Sequence, residues 1–137
     1  APKIGRLIHK FGERRSLIFE YVGLAFIFVG YAVVESSSFA VFLYIADHIF
    51  FSIAIALKTY FQKIADPADI ASSAGVSFSI NHIAAVFIPV IFGLIWLYSP
   101  SLVFLAGAGM AVLSLFLALN MPAKPAAGNE VLLGKFT

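Results

Sequence analysis

The sequence predicts an all-α integral membrane protein with four transmembrane helices. Of the 137 residues, 61% are hydrophobic and only 12% are charged, and the apolar residues are gathered into four long segments. Soluble domains contain about 25% charged residues, so this composition leaves too few polar side chains to cover a surface in water. An α-helix of roughly 20 apolar residues crosses the hydrocarbon core of a bilayer, and each segment is long enough to do so.

The four predicted spans follow one another with connections of unequal length. They cover residues 17–34, 39–57, 76–98 and 102–121. Residues 35–38 and 99–101 form two tight hairpins, whereas residues 58–75 form a longer loop. Residues 1–16 precede the first span, and residues 122–137 follow the last. No span alternates apolar and polar residues, which excludes the strands of a transmembrane barrel.

Positive charges divide the connections into two sides. All nine Lys and Arg residues lie before the first span, after the second or after the fourth, and the two hairpins contain none. Cytoplasmic loops carry an excess of Lys and Arg, so we expect both termini and residues 58–75 to be cytoplasmic. The expected location is the inner or plasma membrane of a bacterium or archaeon.

Two features are predicted within the polar connections. Asp66 as N-cap, Pro67 at the first helical position and Gly75 as a stop predict a separate short helix in the middle loop. The tail after residue 121 contains Pro125 and Gly128, and we expect it to be disordered.

Small residues recur at helical spacing in the first and last spans. In lipid, such positions allow two helix backbones to approach closely, so we expect them to be packing contacts. They are Gly23 and Gly30 in the first span, and Gly107, Ala111, Ser114 and Ala118 in the last.

The stretch before the first span has a glycine, a leucine two residues later, and then a second glycine and a basic pair. The residues of this pattern are Gly5, Leu7, Lys10, Gly12, Arg14 and Arg15. The pattern resembles the loop signature of the major facilitator superfamily. His9 stands where the family usually has aspartate.

A second stretch, in the third span, resembles a degraded form of the glycine-proline motif on the fifth helix of each six-helix half. The matching residues are Ala84, Pro89 and Gly93. The resemblance implies a partial major-facilitator-type bundle, the last four helices of the C-terminal half, with helices three to six of the parent as the alternative. It implies secondary active transport of a small solute by alternating access. The implied partners are the lipid bilayer, the solute and the remaining helices.

Asp47 is the first candidate for a proton or substrate path. It precedes Lys58 by about 11 residues, or about 16 Å of helical rise, which places it near the middle of the membrane. Its neighbours three and four residues away include no counter-ion. Desolvation favours the neutral form of such a carboxyl group, which suits proton binding and release. His48 lies beside it, about 100° further round the helix.

Other polar side chains in the spans are weaker candidates. Asn81 and His82 form a polar patch in the third span that could contact a substrate or relay a proton. Glu20 lies near the cytoplasmic edge of the first span, so we expect it to pair with Arg14, Arg15 or a neighbouring helix end.

Two other functions stay open: a complete four-helix exporter of the small multidrug type, and an accessory membrane subunit that transports nothing. The exporter requires a carboxylate at the centre of the first span, and Glu20 is too close to its edge.

We expect no enzyme activity, because no serine has a glycine-flanked nucleophile setting. With three scattered histidines and no cysteine, we expect neither a bound metal ion nor a cofactor. We expect no nucleic-acid partner either, because the orientation of the chain in the membrane accounts for the basic residues. The chain opens without Met, and we expect it to be a piece of a longer one.

Overall fold

A computed structural model describes residues 6, 8 and 10–133 of the chain. The described residues form helices and turns, with a single isolated β-bridge between Ala126 and Asn129. The helices are α1 (Glu13–Val33), α2 (Ser37–Phe51), α3 (Ile55–Ile64), α4 (Ile70–Tyr98) and α5 (Pro100–Leu119).

The second predicted span is made of two helices. A short 3₁₀ segment, Ser52–Ala54, joins α2 to α3, and the Ser52 hydroxyl donates a hydrogen bond of 2.6 Å to the carbonyl of Ile49. The combined helix Ser37–Ile64 has 28 residues and, like α1, α4 and α5, is long and apolar enough to cross a membrane. The predicted all-helical fold with four spanning helices is therefore confirmed.

The predicted short helix in the middle loop is wrong. Asp66 closes a turn instead, because its Oδ1 accepts the backbone N–H of Ala68 at 2.9 Å. Helix α4 then begins at Ile70 and continues through Gly75 for 29 residues. A glycine inside a helix costs only about 1 kcal/mol relative to alanine, which is too little to end a helix that continues into a long apolar segment.

Helix α1 lies at the centre of the packing, with α5 along one side and α2 and α3 along another. Its two glycines face α2. The ring of Phe50 lies directly against Gly23 and leaves no room for a Cβ atom, and the Leu43 side chain would meet a Cβ on Gly30 at 3.1 Å. The prediction that these glycines are packing contacts is confirmed.

The small residues of α5 face α1. Phe28 would be 3.4 Å from a Cβ on Gly107, and Ala111 and Ala118 are buried. Near the start of α5, the Ser101 hydroxyl donates to the carbonyl of Ala32 at 2.8 Å. These contacts confirm the predicted packing face and join the end of α1 to the start of α5.

Helix α4 differs from the others because none of its residues is buried. Its main contact is with α5, the other arm of its hairpin. Large side chains are exposed along its whole length, from Val76 to Tyr98, which is 92% exposed. The helix therefore presents most of its surface to lipid or to further helices.

The tail folds back onto the helices over residues 122–133. The backbone N–H of Leu132 donates to the Asn120 carbonyl at 2.8 Å, and that of Leu133 donates to the Asn120 side chain at 2.9 Å. The Tyr60 hydroxyl donates to the carbonyl of Glu130. The expected disorder is wrong for these residues, because Asn120 and Tyr60 supply partners for the backbone that composition alone does not reveal.

Candidate functional site

One end of the bundle carries the ionic contacts, and we call it the basic end. Lys63 Nζ, at the end of α3, lies 2.6 Å from Oε1 of Glu13, at the start of α1. Arg14 donates from Nη2 to the carbonyl of Leu119 at 3.1 Å, at the end of α5. A cation suits this position, because the last carbonyls of a helix lack partners and carry the negative end of its dipole. These two contacts join α1, α3 and α5.

The loop signature is only partly within the described residues. Gly5, Leu7 and His9 lie outside them, and Lys10 and Arg15 are exposed at the basic end. Gly12 has φ +85°, between helical Phe11 and the start of α1. That conformation favours glycine, because a Cβ atom is strained there.

Asp47 and His48 are neighbours in space as well as in sequence. Oδ2 of Asp47 lies 3.9 Å from Nδ1 of His48. The closer contact of that nitrogen is the Tyr44 carbonyl, at 3.0 Å. Asp47 falls between Leu43 and Phe50, the two residues that pack on the α1 glycines, and its side chain is only 28% exposed, against 60% for His48. Asp47 therefore faces α1, and His48 faces away from the bundle.

A cleft of about 680 Å³ lies between α3 and the first part of α4. Small-molecule sites measure about 300–1,000 Å³, so the cleft is of the size that holds a small solute. Its walls are mostly apolar, with Phe61 and Phe78 among them. Five of its side chains carry ammonium, amide or hydroxyl groups: Lys58, Tyr60, Gln62, Ser77 and Asn81.

The structure separates the predicted candidates into different places. Asn81 lines the cleft with Lys58, whereas Asp47 and His48 lie on α2, outside it. His82 lies beside Asn81, but its Nδ1 is 2.9 Å from the Phe78 carbonyl. Its ring packs against that of Phe78 in a tilted arrangement, with the ring centroids 3.9 Å apart.

Sequence reasoning missed most of the polar lining of the cleft. Among the residues that the sequence singles out as candidates only Asn81 lines the cleft, and Lys58, Gln62 and Ser77 are not among those candidates. The signal was present: Lys58 and Gln62 are four residues apart, as are Ser77 and Asn81, so each pair shares one helical face.

The helix motif of the third span lies beyond the cleft. Ala84 is partly buried, and Pro89 and Gly93 are exposed in the second half of α4. A proline inside a helix removes one backbone hydrogen bond. No group of three or more potential ligands that could hold a metal ion is found among the described residues.

Glu20 is the most deeply buried ionisable side chain among the described residues, at 2% exposure. Its Oε2 has no hydrogen-bond partner in the described part of the chain. The expected pairing with Arg14 or Arg15 is wrong, because Arg14 donates to the Leu119 carbonyl and Arg15 is exposed.

Comparison with protein-family models, with curated proteins and with solved structures finds no match to this chain. The class of protein therefore follows from its own architecture. Four helices, each long and apolar enough to cross a bilayer, define an integral membrane protein.

Proposed function

We propose that this chain is part of a secondary active transporter for a small solute, and that the cleft between α3 and α4 belongs to the solute path. The cleft is the observation that carries the proposal. Its amide, hydroxyl and ammonium groups lie on two helices of the structure that are long and apolar enough to cross a membrane. Such groups are costly against lipid and are found where a membrane protein contacts water or a ligand.

Exposed helix faces support a role within a larger assembly. Alternating access requires two helical units that move against each other around the solute. Helix α4 has no buried residue, so a second unit has a full-length surface on which to pack. The proposal also includes a relationship to the major facilitator superfamily, which depends on the sequence motifs alone. It further includes a cytoplasmic location for the basic end, which depends on the distribution of Lys and Arg.

Accessibility of single cysteines tests whether the cleft is wet. The chain contains no cysteine, so each introduced thiol is the only one. We expect Ser77→Cys and Asn81→Cys to react with a membrane-impermeant maleimide applied to the basic end of the protein in vesicles. Ser79→Cys is the matched control, because Ser79 lies on the same helix but does not line the cleft. Equal labelling at residues 77 and 79 would contradict a water-filled path.

Solute uptake into proteoliposomes tests transport itself, using the chain together with the rest of its parent protein where one exists. A panel of labelled amino acids, sugars, organic anions and cationic dyes is offered with and without a proton gradient. We expect Asn81→Ala to lower kcat/KM about tenfold for the transported solute, the effect of one lost hydrogen bond of ~1.4 kcal/mol. Ser79→Ala should leave it unchanged.

An accessory subunit is the second candidate, and the exposed surface of α4 favours it, since a helix without buried residues also suits a permanent partner. Absence of uptake for every solute, together with unlabelled cleft cysteines, would support this role and exclude the transporter.

A further inference from the structure

Contacts between α1 and the second span place the α3 wall of the cleft near the membrane surface. The Leu43 side chain lies against Gly30. Seven residues further along, the Phe50 ring lies against Gly23, so the two helices run antiparallel in a constant register. Continued to the basic end, this register sets Lys58 level with the residues just before the first predicted span. Lys58 therefore lies close to the membrane surface and not near the middle of the bilayer.

The α4 wall of the cleft lies at the same end of the bundle. Helix α4 has 29 residues and α5 has 20, and only Ser99 separates the two helices. About two turns at the start of α4 therefore continue past the end of α5. Ser77 lies in this extension, and Asn81 lies near the level at which α5 ends. The cleft thus extends from the water at the basic end to the edge of the hydrocarbon region.

The charges around the cleft favour an anion. Among the described residues that line it, Lys58 is the only charged side chain. The connection between α3 and α4 contains Asp66 and Asp69, but both are exposed, where water and salt screen their charges, and neither lines the cleft. Lys10 and Arg15 are exposed at the same end of the bundle. Their positive charges raise the local concentration of anions.

The rest of the lining suits a molecule with a polar group and an apolar body. Gln62 and Asn81 carry amide N–H groups, which can donate to a carboxylate, phosphate or sulfonate oxygen. Phe61 and Phe78 supply aromatic surface on opposite walls.

We propose that the solute which enters the cleft is an amphipathic organic anion, with its charged group on Lys58 and its apolar body against Phe61 and Phe78. The inference rests on the proposed function, because it takes the cleft to be part of the solute path. Amphipathic molecules concentrate where the headgroups meet the hydrocarbon, which is the depth of the cleft. A cation is repelled by Lys58 and meets no carboxylate among the described lining residues.

Photolabelling with three aryl azides of similar size tests the proposal without requiring transport. The probes are para-azidobenzoate, para-azidobenzamide and para-azidobenzylammonium, which are anionic, neutral and cationic. The chain, together with the rest of its parent protein where one exists, is held in nanodiscs of zwitterionic lipid, and labelled residues are mapped by mass spectrometry. We expect the anionic probe to label the α3 and α4 walls most strongly, and we expect excess benzoate to prevent this labelling. Equal labelling by the three probes, or stronger labelling by the cation, would overturn the proposal without any mutation.

Variants of Lys58 test the contact with the anionic group. We expect Lys58→Met to lower labelling by the anionic probe about fivefold, the effect of one ion pair that is open to water. Labelling by the neutral probe should not change, which shows that the cleft is still folded. Lys58→Arg should keep the labelling, because it keeps the positive charge. Lys124→Met is the matched control, since Lys124 is exposed in the tail and does not line the cleft. Unchanged anion labelling of Lys58→Met would overturn the proposal.

An anionic lipid offers the same chemistry from a second source. Phosphatidylglycerol is therefore added to the nanodiscs, and we expect the anionic probe to keep its labelling of the cleft. Displacement of the probe would identify the occupant as a lipid headgroup and would overturn the assignment of a solute.

Failure of this inference and failure of the proposed function give different results. Labelling by the anion without uptake of any solute would support the anion site and count against transport. Uptake of a neutral or cationic solute that depends on Asn81, with no labelling of the cleft by the anion, would overturn this inference and leave the transporter in place.

Discussion

Gly23 shows how a single missing side chain permits two helices to meet. The Phe50 ring occupies the space where any other residue at position 23 would place its Cβ atom. The contact ties the middle of α1 to the end of α2, and it depends on both partners.

We therefore expect Gly23→Ala to destabilise the protein by about 1–3 kcal/mol, the usual cost of overpacking. The measurement is the free energy of unfolding in detergent micelles. Gly109→Ala is the matched control, because nothing lies within 4 Å of a Cβ there, and alanine should be neutral or stabilising. Adding Phe50→Ala to Gly23→Ala should make the alanine at position 23 harmless; if it does not, the Phe50 contact is not the cause.

The ion pair between Lys63 and Glu13 has one buried and one exposed partner. The Glu13 side chain is 5% exposed and that of Lys63 is 44% exposed. We expect Lys63→Met to lower the free energy of unfolding by about 2 kcal/mol, because it leaves the Glu13 carboxylate buried without a cation. This value lies between those typical of surface ion pairs and of buried ion pairs. Lys124→Met, at an exposed position of the tail, should change stability little, and Glu13→Gln combined with Lys63→Met should recover most of the loss. Equal effects of the two lysine variants would show that the pair is not stabilising.

At the scale of elements, the sequence predicted the helices better than their ends. Length and hydropathy identified four spans, because any apolar segment of that length must satisfy its backbone hydrogen bonds internally in lipid. The predicted start of the third span is too late, because Gly75 does not stop the helix, which begins at Ile70 and continues through that glycine. The contacts of the tail were also missed, because they join residues 70 positions apart, Tyr60 and Glu130.

The folded tail makes a prediction about protection from proteases. Removing one hydrogen bond costs about 1 kcal/mol, so Tyr60→Phe should loosen residues 122–133 and increase their cleavage by a protease several-fold. Tyr98→Phe is the matched control, because Tyr98 is 92% exposed and sits at the far end of α4. Cleavage that is the same in both variants and in the unmutated protein would mean that Tyr60 does not hold the tail.

The candidate site was harder to predict than the fold. Asn81 was found from its polarity within an apolar span, but its neighbours in the cleft come from α3, a separate helix. Nothing in a single sequence specifies which helices lie side by side.

For the whole molecule, the distribution of Lys and Arg predicts its orientation in the membrane. The basic end holds the ends of α1, α3 and α5, and the two hairpins lie at the other end. We expect Lys124→Cys to be labelled by an impermeant reagent only after the cytoplasmic side is opened, and Ser36→Cys to be labelled from outside in intact cells. Both residues are exposed, so access depends on the side of the membrane. Labelling of Lys124→Cys from outside would reverse the proposed orientation.

The 3₁₀ segment at Ser52–Ala54 has a geometric consequence for the two ends of the second span. On an unbroken α-helix, Asp47 and Lys58 would lie about three full turns apart and point the same way. A 3₁₀ segment winds faster, adding about 60° over three residues, which turns everything beyond it about the axis. If those three residues took up α-helical winding, Lys58 would rotate away from the cleft, whereas Asp47 would stay in place against α1. The 3₁₀ segment therefore sets the direction of the second half of the span separately from that of the first half.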